Sequence, residues 1–375
     1  MAIRGETIKE VRERANIVDV IGRRVQLQQR GKRFLGLCPF HNENTPSFSV
    51  SPEKGLYYCF GCHASGDVFT FIKETEGVDF PEAVRMVARE VGIELEPESP
   101  EEAAKRKRAQ AVARANEYAH AYFQEQLWNE TGREARAYLE ERGIPEHQAK
   151  KRHLGFGGPE GGLLKYLEAK KVPNELAAKA GLVAESGRAL FDERLVFPIA
   201  DTQGRLAGFG GRRLGEGFGP KYINTREGPL FSKRTLLYGW GVARDAMRRT
   251  KRAVVVEGYT DVLALQRADI EEAVASLGTA FTEEHAQLLA RFADEVVVVL
   301  DGDSAGEAAS REATEKLLHA KLKVTVVPLP AGVDPDTFVR AHSIDEVRRA
   351  FESRRSAVEV FIERAFAERG ASIEE

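Results

Sequence analysis

Val254-Val255-Val256-Glu257-Gly258-Tyr259-Thr260-Asp261 sets the architecture of the carboxy-terminal half of the chain. The β-branched run reads as a buried strand, Glu257 stands at its carboxyl end, Gly258 permits a tight exit, and a helix follows. Val298-Val299-Leu300-Asp301-Gly302-Asp303 repeats the device with two aspartates. Working outward, residues 253–256, 273–277, 296–300 and 324–328 read as strands. Residues 261–267, 283–292 and 306–320 read as helices between them, and more helices follow from about 336. Strands alternating with helices predict a parallel sheet.

In such a sheet the carboxyl ends of the strands lie at one edge, where ligands bind. Glu257, Asp301 and Asp303 fall there, and Val333-Asp334-Pro335-Asp336 supplies another pair after the fourth strand. So many carboxylates repel one another and are costly without cations. Hard oxygen donors suit Mg²⁺ or Mn²⁺. One acid after one strand is equally well a turn or a helix cap; three such motifs in register favour a divalent-metal phosphoryl-transfer site. No Gly-x-x-x-x-Gly-Lys-[Ser/Thr] motif occurs, which disfavours P-loop ATP hydrolysis.

The amino-terminal third carries different chemistry. Cys38-Pro39-Phe40-His41 and Cys59-Phe60-Gly61-Cys62 are two knuckles, and they hold all three cysteines of the chain. Three thiolates and one imidazole form a closed tetrahedral Zn²⁺ set with no position for water, so one structural zinc is expected. His63 breaks the knuckle spacing and reads as a neighbour. Arg33, Phe34, Phe48, Lys54, Tyr57, Tyr58 and Phe60 interleave around the knot. Alternate rings on a ribbon strand could stack on bases, but for any one ring a place in the small core is the simpler reading.

The 375 residues exceed one small module, and 42% apolar with 30% charged composition suits a globular chain with a sizeable core. No apolar run approaches a membrane span, residues 1–14 lack the apolar run of a secretory signal, and a cytoplasmic protein is expected. Residues 161–256 carry net +9 and residues 257–375 net −11. That asymmetry suits a protein holding a polyanion on one wall and cations on the other. Two prolines and a charge block at 97–108 mark a hinge or the start of a solvated helix. The expected organisation is a zinc-binding domain over 1–97, a linker over 98–110, a basic subdomain over 111–245, a sheet subdomain over 246–335 and a helical segment over 336–375. The fold class is α/β multidomain: a small zinc ribbon, then a mixed α/β subdomain and a parallel-sheet subdomain.

Two further motif groups make a resemblance specific. Glu257-Gly258-x-x-Asp261 with Asp301-x-Asp303-x-x-Gly306 resembles the Toprim signature of primases, topoisomerases and some nucleases. Arg194, Phe197-Pro198-Ile199, Asp201, Gly204, Gly208-Phe209-Gly210-Gly211-Arg212 and Lys221-Tyr222-x-Asn224 resemble the basic motif of the bacterial replicative primases of the DnaG family. Cys38-Pro39-Phe40-His41, Thr45-Pro46-Ser47-Phe48 and Cys59-Phe60-Gly61-Cys62 resemble that family's zinc domain. One departure concerns the basic residue before Leu154-Gly155-Phe156, for which Lys151 and Arg152 compete.

The resemblance implies a DNA-directed RNA polymerase that makes short RNA primers on single-stranded DNA from ribonucleoside triphosphates, leaving an RNA–DNA hybrid. It implies Asp301, Asp303, Asp334 and Asp336 as metal ligands, Glu257 as a further ligand or general base, and Asp261 as a supporting acid. It further implies Arg194, Arg212, Lys221, Tyr222, Asn224 and Lys233 as grips on phosphate or template. Family members continue into a helical bundle and a helicase-binding domain; with the chain stopping at Glu375, a truncated piece is expected, and helicase contact only through a domain absent here. A type IA topoisomerase needs a downstream tyrosine, and none follows Tyr259. A Toprim nuclease, or a non-catalytic zinc-containing single-strand-binding module, is the alternative.

Overall fold

The computed structural model describes residues 3, 5–41, 43–95, 100–215, 219–299, 304–327, 329–330 and 332–368. The chain divides into two compact units, residues 1–106 and residues 107–375. One 29-residue helix, Pro100–Trp128, supplies residues to both. It occupies much of the stretch expected to be a linker.

The first unit is a five-stranded antiparallel sheet in the order β1 (Gln28–Arg30), β2 (Arg33–Gly36), β3 (Phe48–Ser51), β4 (Leu56–Cys59) and β5 (Ser65–Gly66). Helices Gly5–Arg14, Ile17–Gly22, Val68–Glu76 and Phe80–Glu90 flank it. Asp67 and Asp79 begin the last two, each accepting an amide N–H from the first turn that has no partner within the helix. Phe48, Tyr57, Phe69, Phe71 and Ile72 fill the core with Val84 and Val87. Phe48 and Tyr57 are therefore core rings, whereas Tyr58 (38% exposed) and Phe60 (60% exposed) face outward and meet edge to face at 5.0 Å.

The second unit holds two sheets. The first, β6 (Gly155–Phe156), β7 (Arg194–Ala200), β8 (Leu206–Arg213) and β9 (Tyr222–Asn224), is antiparallel throughout. Rings of Phe123, Phe191 and Phe209 meet edge to face beneath it at 5.1–5.9 Å. The second has the order β11-β10-β12-β13-β14, with β10 (Arg252–Val256), β11 (Ala273–Ala275), β12 (Glu295–Val298), β13 (Lys323–Val326) and β14 (Arg355–Ser356).

Its first four strands are parallel, as the valine runs predict, and β14 adds an antiparallel edge that the sequence reading missed. The period of two explains those runs. Val254, Val256 and Val297 enter one core while Val255, Val296 and Val298 enter another on the opposite face. Glu295 anchors the edge strand through paired hydrogen bonds from Arg354, both at 2.9 Å. Among the described residues, no helix is long and apolar enough to cross a membrane.

Gly210 joins the two sheets. A Cβ there would sit 2.4 Å from the ring of Tyr259, so only glycine lets β8 lie against the residue two positions after Glu257.

Candidate functional site

In the ribbon, the turn after β2 and the end of β4 bring Cys38, His41, Cys59 and Cys62 together, with all donor atoms within 4.8 Å of one another. Cys38 Sγ lies 3.7 Å from Cys62 Sγ, and Cys59 Sγ lies 3.8 Å from His41 Nδ1. Metal–sulfur bonds of about 2.3 Å in a tetrahedron require donor separations of roughly 3.8 Å, so the set fits one closed Zn²⁺ site. Burial pushes the Cys38 thiol up to about 12. Burial also opposes ionisation of Cys59, but the Ser47 hydroxyl and the amides of Cys62 and Gly61 outweigh it and bring that thiol down to about 6. A dication would hold both as thiolates, and at neutral pH the proton it displaces would come from Cys38 rather than from Cys59.

The sequence reading missed Glu43, which organises this centre. Its carboxylate lies 3.3 Å from His41 Nε2 and accepts the amide of Cys38 at 2.7 Å and the Ser47 hydroxyl at 2.6 Å. The Ser47 hydroxyl, ahead of the amides and His41, holds Glu43 below the ordinary carboxylate range. Such a partner fixes the ring so that the other nitrogen, Nδ1, turned toward Cys59 Sγ, would be the metal donor. Gly61 is required beside it, because a Cβ there would meet His41 Nε2 at 2.6 Å. His63 instead pairs with the Tyr58 hydroxyl through Nδ1 at 2.7 Å.

In the second unit, β10 ends at Val256 and leaves Glu257 exposed at the carboxyl edge of the parallel sheet. Val255 pairs with Val298, so the segment after β12 leaves the sheet at that same edge. Asp301 and Asp303 lie on that segment, outside the described residues. Asp261 is buried in the first turn of helix Tyr259–Arg267, where Oδ2 accepts the Gly258 amide at 3.0 Å and Oδ1 the Asp336 amide at 3.1 Å.

Asp334 caps helix Pro335–Ala341 by accepting the Thr337 amide at 2.6 Å. Asp336 is 1% exposed, and its Oδ2 meets Arg142 at 2.5 Å and Arg340 at 3.3 Å. Its Oδ1 is buried without a hydrogen-bond partner among the described residues. Within those residues the four acids Glu257, Asp261, Asp334 and Asp336 do not by themselves gather three donors around one point; the Cys/His set alone does. Glu257, exposed at the carboxyl edge, offers the kind of hard oxygen donor that suits a dication.

The basic residues meet this edge through tyrosines. The Tyr259 hydroxyl donates to Asn224 Oδ1, and Asn224 Nδ2 donates to the Leu277 carbonyl at 2.9 Å, tying β9 to the loop after β11. Tyr222, 39% exposed, meets the Tyr259 ring edge-on at 5.9 Å. Arg212 lies 3.9 Å from the ring centroid of Tyr138, with Arg142 5.4 Å from that ring's centroid. Arg194 is half-buried and donates to the carbonyls of Pro220 and Lys221 at 3.1 and 3.3 Å, and burial lowers its pKa. Lys221 is exposed, and Lys233 is half-exposed with its amide on Glu227 at 2.8 Å. Tyr138 and Arg142 escaped the sequence reading; their one signal is the helical i, i+4 spacing.

A zinc ribbon accompanied by a Toprim-type parallel sheet, with acids at the sheet's carboxyl edge and a glycine-rich basic hairpin beside it, defines the class. Residues 3–103 match the CHC2 zinc finger family, 122–244 the amino-terminal domain of the DNA primase catalytic core, and 251–328 the Toprim domain. The chain belongs to the DnaG family of bacterial DNA primases.

A DNA primase of Halalkalibacterium halodurans is 40% identical over 92% of this chain, and one of Myxococcus xanthus 42% over 92%. The chain spans 58% of the length of each. The zinc-binding and RNA polymerase domains of the Aquifex aeolicus primase align with 36% identity and a TM-score of 0.64, covering 97% of this chain and 89% of that one. A DnaG catalytic domain bound to single-stranded DNA aligns at 34% identity and a TM-score of 0.61, over 67% of this chain and 83% of that one.

Proposed function

We propose that this protein synthesises short RNA primers on single-stranded DNA from ribonucleoside triphosphates by nucleotidyl transfer dependent on Mg²⁺ or Mn²⁺. The observation that carries the proposal is Glu257 at the carboxyl edge of a parallel sheet, joined through Tyr259, Asn224 and Tyr222 to a basic hairpin. Glu257, Asp301, Asp303 and Asp334 would hold the metals. When bound, these ions neutralise triphosphate charge and acidify the primer 3′-hydroxyl. We assign Asp261 and Asp336 positioning roles instead, because Asp261 ties two loops and Asp336 is engaged by Arg142.

Arg212 and Lys221 grip phosphate, with the Arg212 plane set by Tyr138. Tyr222 offers a ring to a base. On the ribbon, exposed Tyr58 and Phe60 offer a second stacking surface for the template. Incubation with single-stranded DNA, labelled ribonucleotides and Mg²⁺ tests the reading. Short RNA is expected, and Glu257→Ala should abolish it without changing the melting temperature. Degradation of the DNA in place of RNA synthesis would establish the nuclease alternative.

A further inference from the structure

A pocket of about 320 Å³ opens in the second unit away from the carboxylate edge, and its chemistry is unused by the reaction above. It lies at the Ala200/Leu206 end of the β7–β8 hairpin. Arg194 and Arg213 mark the other end, roughly 20 Å away along seven residues of extended chain. On its apolar side Pro198, Leu206 and Val242 are partly exposed and Ile199, Tyr238 and Trp240 are buried, while Lys151 and Arg152 supply positive charge and burial keeps the His120 ring neutral. No Asp or Glu is among the described residues that line it.

The arginine is the informative member. Its Nε and Nη1 are buried without a hydrogen-bond partner among the described residues. Buried donors are normally satisfied, and a buried charge without an acceptor is costly. Burial lowers the Arg152 pKa, and the acid that acts against this, Glu271, is itself paired with Arg249 at 3.0 Å. The protein thus places a desolvated guanidinium in a pocket wall and withholds its acceptor. Between Lys151 and Arg152, the structure singles out Arg152 as the half-buried cation and leaves Lys151 exposed.

We propose that this pocket is an effector site for a small amphipathic anion: a flat apolar ring carrying one phosphate or carboxylate, with the anionic group on Arg152 and the ring on the apolar wall that includes Leu206 and Val242. The volume is at the small end of ligand sites and suits a molecule of mononucleotide size. A route to the catalytic edge exists in the packing. Tyr238 packs against Tyr259 with the rings tilted at 50° and 4.6 Å between centroids, and Tyr259 holds Asn224. A ligand that presses on Tyr238 therefore acts on the residue two positions after Glu257. The effector role rests on the proposed polymerase reading; binding does not.

The chain has two tryptophans, and Trp240 lies in the pocket wall with its indole N–H on the Thr202 carbonyl at 3.2 Å. In a Trp128→Phe background its emission reports binding directly. Adenosine monophosphate, benzoate and inorganic phosphate are the probes. We expect a saturable change with one or both ring-bearing anions, at least tenfold weaker binding of inorganic phosphate, and loss of at least tenfold in affinity in Arg152→Met. Which ring-bearing probe binds more tightly distinguishes phosphate from carboxylate.

Arg152→Met should melt no lower than the parent, since it removes donors without acceptors, and Arg152→Lys should retain part of the affinity. The same probe should shift the KM for ribonucleotides in the parent and not in Arg152→Met. No response to any probe at millimolar concentration, or an equal response in Arg152→Met, overturns the site. Binding without a kinetic effect on an active polymerase overturns the effector role. Binding by a protein that makes no primers leaves the site standing and overturns the polymerase reading instead.

Discussion

The backbone N–H of Asp336 donates to Oδ1 of Asp261 across 3.1 Å, while Oδ2 of the same carboxylate accepts the Gly258 amide at 3.0 Å. One buried side chain thereby ties the start of helix Pro335–Ala341 to the turn that presents Glu257. Asp261→Ala leaves two amides without that acceptor, and loss of about 1–3 kcal/mol of stability is expected from such orphaned donors. Urea denaturation checks this, and primer synthesis should fall with it, because Glu257 loses its fixed turn. Unchanged stability would show that the two loops hold without Asp261.

Arg142 and Asp336 form the second joint of this edge, at 2.5 Å, with Asp336 almost fully buried. Removing one partner of a buried ion pair strands the other charge, at a cost of about 3–5 kcal/mol. Arg340 remains 3.3 Å from the same oxygen, so Arg142→Met is expected near the lower end of that range. Adding Asp336→Asn should recover part of the loss. A double-mutant cycle by chemical denaturation reads the coupling directly.

For the ribbon, Cys59→Ala should abolish stoichiometric zinc, measured by metal analysis after dialysis, and should unfold the first unit's sheet around β4. Glu43→Gln is the subtler test. It keeps the donors and weakens the hold on the His41 ring, so zinc affinity should fall by about 10–100-fold in chelator competition. Equal affinity would mean that Glu43 only closes the loop through Ser47 and the Cys38 amide.

Acid should loosen the parallel sheet at its antiparallel edge. The paired hydrogen bonds from Arg354, ahead of its charge and Thr325, hold Glu295 down to about 2. A carboxylate depressed in the folded state contributes stability that is present above its unfolded pKa and lost as pH falls through the folded value. That contribution should therefore fade between about pH 4.5 and 2. Glu295→Gln should be less stable at neutral pH and should flatten this part of the acid profile, as followed by thermal melting.

The zinc knuckles and the strand–acid–helix grammar were readable from residue order, because each depends on neighbours within a few positions. Two ligands two residues apart form a knuckle, and an alternating valine run forms a strand buried on both faces. The same locality explains what escaped. β14 is two residues long, too short to carry a period, and exists because Arg354 reaches Glu295. Glu43 is an ordinary acid until the folded turn sets it against His41. The glycines of Gly208-Phe209-Gly210-Gly211 were recognisable as a motif, yet the reason for Gly210 is Tyr259, which packs there from another sheet.

Residue order by itself settled which elements form and which side chains could carry chemistry, since helices, strands and knuckles are selected by short-range sterics and spacing. Tertiary structure decided which acid stays at the solvent edge and which turns inward. Glu257 and Asp336 look alike in the sequence, but Glu257 is exposed whereas Asp336 is buried against Arg142, 194 positions away along the chain. Such partners are chosen by the packing of whole sheets and helices, and no local pattern encodes them.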